Sequence, residues 1–199
     1  MSELENRIRD KSLLSKVTTP DKLIHLFKET EKRTMNVGFS GFTPVGYPKV
    51  MPLFIADFVE KNNLKGKWKF NLFTGASMGV EVEDRWAELE LTARRWPYQT
   101  AKVLNKQINN GQVLLGDKHL SLFAQDLLNG FYTKDTGGNL DVAIIEASAI
   151  DENGNIILAG SIGAAPEIIA IADKIIVEVN THNPSFEGMH DIIVSDKPP

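Results

Sequence analysis

Met35-Asn36-Val37-Gly38-Phe39 runs into Ser40-Gly41-Phe42-Thr43-Pro44-Val45-Gly46, and after Pro48 come Val50, Met51, Phe54, Ile55, Phe58 and Val59. The opening residues read as a strand and the next as a glycine-rich turn. The apolar positions after Pro48 recur at threes and fours, the spacing of a helix packed on a sheet. This unit decides the fold because the chain repeats it. Lys67 to Phe73 reads as a strand, Thr74 to Gly79 as a turn and Glu81 to Leu89 as a helix. Helices are expected over Thr100 to Ile108 and His119 to Leu128, with a short strand at Val113 to Leu115 between them. Val142 to Ile150 is apolar on both faces, the mark of a buried strand. Asn153-Gly154 should turn it into Ile156-Ile157-Leu158 as a tight hairpin. A helix over Pro166 to Ala172 and a strand over Lys174 to Val179 close the pattern. Near the start, Thr19-Pro20-Asp21 offers a capping hydroxyl, a proline at the first helical position and an acid in the first turn. Alternation of this kind predicts an α/β fold: a layered, mostly parallel sheet flanked by helices on both sides.

Composition bounds the rest. A chain of 199 residues reads as one domain, long enough to remove roughly 70% of its unfolded surface from water without metals or disulfides. Apolar residues at 42% and charged residues at 24% exclude a disordered or collagen-like chain. A net charge of −4 argues against nucleic acid as a partner. Cysteine is absent, which removes disulfides, thiolate nucleophiles and thiolate zinc sites. The apolar run Ile156 to Ala172 is interrupted by Ser161, Gly163, Pro166 and Glu167, short of the ~20 apolar residues of a membrane span. The N-terminus carries mixed charge and no apolar core of a secretory signal. The expectation is a soluble, cytoplasmic protein, or one of a mitochondrion or related organelle in a eukaryote.

In such a sheet, ligands gather beyond the carboxyl ends of the strands. Two loops there are rich in small residues: Gly38 to Lys49, and Thr74-Gly75-Ala76-Ser77-Met78-Gly79. Each reads either as a tight turn or as a ligand cradle, since glycine lets backbone amides approach an anionic group. Neither has the spacing of a P-loop or a dinucleotide fingerprint. His25, His119, His182 and His190 are scattered without metal-ligand spacing, so no metal is expected. Glu146 and Glu178 interrupt apolar strands, where a charge is costly unless paired. Glu146 is either a paired structural glutamate or a carboxylate nucleophile.

Taken together, the segments resemble a known family. Ser40-Gly41-Phe42-Thr43, Gly46-Tyr47-Pro48-Lys49 and Lys61-Asn62-Asn63-Leu64 come first, followed by Phe70-Asn71-Leu72-Phe73-Thr74-Gly75-Ala76-Ser77. Asp117-Lys118-His119-Leu120-Ser121, Gly130-Phe131-Tyr132-Thr133 and Ile145-Glu146-Ala147-Ser148-Ala149-Ile150 continue the series. Ile176-Val177-Glu178-Val179-Asn180 and Pro184-Ser185-Phe186-Glu187-Gly188-Met189-His190-Asp191 complete it. In this order they resemble the N-terminal part of the acetyl-CoA hydrolase/transferase family, which are class I CoA-transferases.

The resemblance implies residues 1–199 are an N-terminal domain, similar in fold to ribose-phosphate isomerase, with a C-terminal catalytic domain absent. It places no catalytic residue here, because the family's glutamate, which forms an acyl anhydride and then a glutamyl-CoA thioester, lies in the other half. Glu146 becomes structural on that reading. Ser77 and Thr100 would donate hydrogen bonds to the carboxylate substrate, and Gly41, Phe42 and Gly46 would shape the cleft wall. Met78 stands where relatives carry a smaller residue. The implied substrates are a coenzyme A thioester and a small carboxylate such as acetate or succinate, with no covalent cofactor, no metal, and a homodimer at full length. The other reading is a stand-alone, non-catalytic module of the same fold that binds a small molecule or another subunit.

Overall fold

Met35–Phe39 (β1) is buried at every position, as are Phe70–Thr74 (β2) and Val142–Ile150 (β5), and these three strands form the middle of a seven-stranded sheet. The computed structural model describes residues 3–192. The sheet order is β4-β3-β2-β1-β5-β6, with Thr92–Trp96 as β3, Leu114–Leu115 as β4 and Ile156–Leu158 as β6. Ile175–Val179 (β7) pairs with β5 as well. Among the named pairings only β5 with β6 is antiparallel. The α/β architecture with a mostly parallel sheet is therefore as the sequence pattern predicts.

Seven α-helices accompany these strands among the described residues: Glu3–Arg7 (α1), Pro20–Leu23 (α2), Val50–Lys61 (α3), Val80–Glu88 (α4), Lys102–Asn109 (α5), Leu120–Leu128 (α6) and Ala165–Ala170 (α7). Side chains alternate across β5 and so serve two cores. Val142 and Ile144 join Met51, Ile55 and Val59 of α3 and Val82 and Trp86 of α4. Ala143 and Ile145 join Phe123 and Leu127 of α6 and Ile168 of α7. Burial on both faces is why the strand shows no polar alternation.

Four local details depart from the sequence pattern. β3 has no counterpart in it, since Thr-Ala-Arg-Arg-Trp lacks a strand's apolar run, yet it sits between β2 and β4. The segment after Pro20 gives only one α turn before passing into a 3-10 helix, Ile24–Glu31. Thr19 occupies the N-cap position there, but its hydroxyl makes no capping bond. The β5–β6 connection is a five-residue turn rather than a tight hairpin: Asp151 accepts from the Asn153 and Asn155 amides at 2.9 and 2.8 Å, and Gly154 takes φ +80°.

Glu178, on β7, has a plain structural task. Its carboxylate accepts the backbone N–H groups of Lys49, Val50 and Met51 at 2.9, 3.1 and 2.6 Å, closing the open N-terminus of α3. The helix has no capping side chain of its own. Glu178→Ala should destabilise the chain by about 2 kcal/mol, the range for a charged capping acceptor. A urea midpoint unchanged from the parent chain would contradict this role.

Candidate functional site

The parallel strands end in loops that meet at one edge of the sheet. Ser40 organises the first. Its hydroxyl accepts the Glu146 amide at 2.8 Å and donates to the Gly46 carbonyl at 2.9 Å, so the turn closes on itself beside β5. Ser161, on the connection from β6 to α7, holds the same turn from outside: it accepts the Phe42 amide at 2.8 Å and donates to the Val45 carbonyl at 2.6 Å.

Glycine is required where these loops touch. Gly41 takes φ +106° and pairs with Gly163 in an isolated parallel bridge. A Cβ at Gly75 would overlap the Gly41 carbonyl oxygen and lie 2.8 Å from the Gly163 Cα. Three loops thus close on one point through backbone that no larger residue would allow. Above it opens a small cleft of about 80 Å3, walled by Phe42, Leu120, Phe123 and Ala124 and floored by Gly75, Gly163 and Ala164.

Ser77 lies two residues beyond Gly75 and is 4% exposed. Its hydroxyl takes no hydrogen-bond partner among the described residues. It is not a helix cap either: the N-cap of α4 is Gly79, and that end has no side-chain capping bond. Met78 does not line the cleft; it packs into the core with Tyr47 and Val82.

The position of Ser77 is fixed by a pair that the sequence did not reveal. Arg95 and Glu83 are both fully buried, with Arg95 Nε 3.0 Å and Nη2 2.5 Å from Glu83 Oε1. Arg95 Nη2 also donates to the Ala76 carbonyl at 2.9 Å and the Tyr98 carbonyl at 3.3 Å, and Nη1 donates to the Trp96 carbonyl. Burial pushes the Glu83 carboxyl above its usual range, while Arg95 and the Met78 amide act the other way. One guanidinium therefore ties the loop after β2, which carries Ser77, to the loop after β3, which carries Thr100. Two arginines directly before Trp96-Pro97, at a strand's carboxyl end, were the available signal.

Gly41, Phe42 and Gly46 share one loop, and Gly75 joins that loop to the Ser77 segment. Thr100 is exposed just ahead of α5, and its hydroxyl makes no hydrogen bond among the described residues. Glu146 is 5% exposed and paired, accepting from Asn180 Nδ2 at 2.7 Å and lying 3.5 Å from Lys49 Nζ. Tyr47 donates to Glu81, and burial with this carboxylate raises its phenol pKa.

A bigger cavity, about 520 Å3, lies elsewhere, between the N-terminal segment and β7. Ile8, Val17, Leu23, Val50 and Val177 line it, and its one carboxylate, Glu178, is committed to capping α3. It contains none of the expected site residues. Among the described residues there is no group of three or more His, Asp or Glu able to hold a metal, and no helix is long and apolar enough to cross a membrane.

Comparison with known proteins shows which family the chain belongs to. The family model for the acetyl-CoA hydrolase/transferase N-terminal domain matches residues 1–198. An acetyl-CoA hydrolase of Neurospora crassa is 50% identical over 197 residues, covering 98% of this chain and 37% of the relative. One from Schizosaccharomyces pombe is 50% identical over 200 residues, covering 100% of the chain and 38% of the relative. One from Candida albicans is 51% identical over 198 residues, with shares of 98% and 37%. The chain thus spans little more than a third of the length of these curated relatives. It belongs to the acetyl-CoA hydrolase/transferase family and corresponds to that family's N-terminal domain.

Proposed function

We propose that this domain forms the carboxylate-side wall of the active-site cleft of an enzyme that moves coenzyme A between a short acyl-CoA and a free carboxylate, or releases it to water. The observation that carries the reading is the Ser77 hydroxyl: nearly buried, unpartnered, and held at the carboxyl edge of the sheet by Arg95 and Glu83. A hydroxyl there donates to a carboxylate without adding a charge that would hold it back from reaction. Thr100 and the Gly41–Gly46 loop complete the wall, and the fungal acetyl-CoA hydrolases support the substrate class.

The chemistry on this reading belongs to a glutamate in the remaining part of the protein. Its carboxylate attacks the thioester carbonyl and expels CoA as thiolate, leaving an acyl–glutamyl anhydride. The thiolate returns to the glutamyl carbonyl and releases the acyl group as a carboxylate, which gives the glutamyl-CoA thioester. This domain's contribution is to orient the departing or incoming carboxylate and to keep water from the anhydride. The full-length enzyme is a homodimer on this reading, and neither a metal nor a covalent cofactor takes part.

The test is an assay of acetyl-CoA with succinate, followed by thioester absorbance. The chain of 199 residues should show no turnover by itself, and the full-length protein should show it. Turnover by the chain alone that disappears in Glu146→Ala would make Glu146 the nucleophile and overturn the division of labour.

A further inference from the structure

β7 has the composition of an interior strand and the position of an edge strand. The Lys174 carbonyl accepts the Ala143 amide at 2.8 Å, and the Asn180 amide donates to the Ala147 carbonyl at 2.8 Å, so Ile176 and Glu178 turn their backbone groups toward β5. These groups alternate along a strand, so the N–H and C=O of Ile175, Val177 and Val179 point the other way. Among the described residues they take no hydrogen-bond partner, and β7 pairs with β5 alone. Proteins blunt a true edge by shortness, proline or charge. The opposite edge of this sheet is blunted in that way, since β4 is two residues long. β7 is not: it reads Ile-Ile-Val-Glu-Val, and its one charge, Glu178, is turned to the start of α3. A near-continuous apolar run of this kind belongs to a strand with neighbours on both sides.

The cavity of about 520 Å3 runs along this open edge, because all five residues of β7 line it. Successive side chains point to opposite faces of a sheet, so a space touching every one of them lies beside the strand and not over one face. Its far wall is Leu13, Lys16, Val17 and Thr18. Val17, Val50 and Ile175 are 46, 59 and 43% exposed, and all three line the same space. Contiguous exposed hydrocarbon marks an interaction surface. We propose that an apolar strand from the remaining part of the full-length protein adds to β7 and fills the groove between β7 and the N-terminal segment. Only 37% of the Neurospora crassa relative is matched by this chain, which leaves most of the polypeptide to supply that strand. Three outward N–H groups and three outward C=O groups suit an extended backbone, and the aliphatic lining suits its side chains. A second copy fits less well. Each copy carries the wall at Lys16 to Thr18 opposite β7, and two copies meeting edge to edge would drive these walls together. The proposal does not depend on the function proposed above.

Hydrogen exchange of the full-length protein, read residue by residue, gives the first test. The amides of Ile175, Val177 and Val179 should exchange about a hundredfold or more slowly than unstructured amides. Those of Ile176 and Glu178 are bonded to β5 in either case and serve as the internal control. Exchange of the three outward amides at the unstructured rate would overturn the proposal. The occupant is identified by placing a benzophenone side chain at position 17 of the full-length protein and irradiating it. Cross-links to peptides beyond residue 199 of the same chain are expected. Cross-links that join two chains, or that fall only within residues 1–199, would overturn the proposal. The same side chain at position 50 repeats the test if the variant at position 17 fails to fold. Neither measurement uses turnover, so failure here leaves the proposed function where it stands.

Discussion

Arg95→Met is expected to destabilise the chain by about 3–5 kcal/mol, the usual cost of removing one partner from a buried ion pair. Two losses combine. The Glu83 carboxylate, fully buried, is left without its counter-charge, and the Ala76, Trp96 and Tyr98 carbonyls lose their donor. Removing only the charge mismatch should recover part of this. Arg95→Met combined with Glu83→Gln is expected to be more stable than Arg95→Met alone, a coupling that a double-mutant cycle measures. The pH dependence has a definite sign. Burial already raises the Glu83 pKa, and Arg95 opposes that rise, so the variant should hold the proton still more tightly when folded than when unfolded. Its stability should then be greatest below the ordinary carboxylate range and fall as pH rises through the raised folded-state value. Urea midpoints at several pH values give both quantities, provided the slope is unchanged. A loss below about 1 kcal/mol would show that the pair holds the loops in place without stabilising the fold.

The same pair shows where sequence reading reached its limit. β1, its glycine-rich turn and α3 were legible because strand, turn and helix each carry a local signal. β3 carried none. Arg95 is tolerable inside a sheet only because Glu83, twelve positions earlier, and three carbonyls surround it, and that is a fact of tertiary contact. Glu178 was recognisable as a glutamate needing a partner. That its partners are three amides at the start of α3 follows from the docking of α3 against β7, which spacing does not encode. The Thr19 hydroxyl matched a capping pattern and makes no cap, since the chain after Pro20 tightens into a 3-10 helix.

For the site, the two small-residue loops were found by position at strand ends. Their contact through Gly41, Gly75 and Gly163 was hidden, because Gly163 belongs to a connection far along the chain. Ser161 escaped notice for the same reason: one serine in an apolar run gives no hint that it clasps Phe42 and Val45.

Ser77→Ala, made in the full-length protein, should lower kcat/KM for free acetate by about one to two orders of magnitude, and affect the CoA moiety little. The size follows from a hydrogen bond to a charged group, worth roughly 1.5–3 kcal/mol when lost. Stability should hardly change, because the hydroxyl satisfies no group of the protein and the N-cap of α4 is Gly79. That separates a ligand-binding serine from a structural one: removing a cap would cost ~1 kcal/mol and leave the balance between acetate and CoA where it was. Thr100→Ala should act in the same direction, since Thr100 is exposed on the neighbouring loop that Arg95 ties to the Ser77 segment. The two effects need not add, as both hydroxyls would address one small anion. Steady-state kinetics with acetate and acyl-CoA varied in turn, together with the melting temperature, give the answer. Equal losses for both substrates with a lowered melting temperature would return Ser77 to the scaffold, and the carboxylate would then have to be held by another part of the full-length protein.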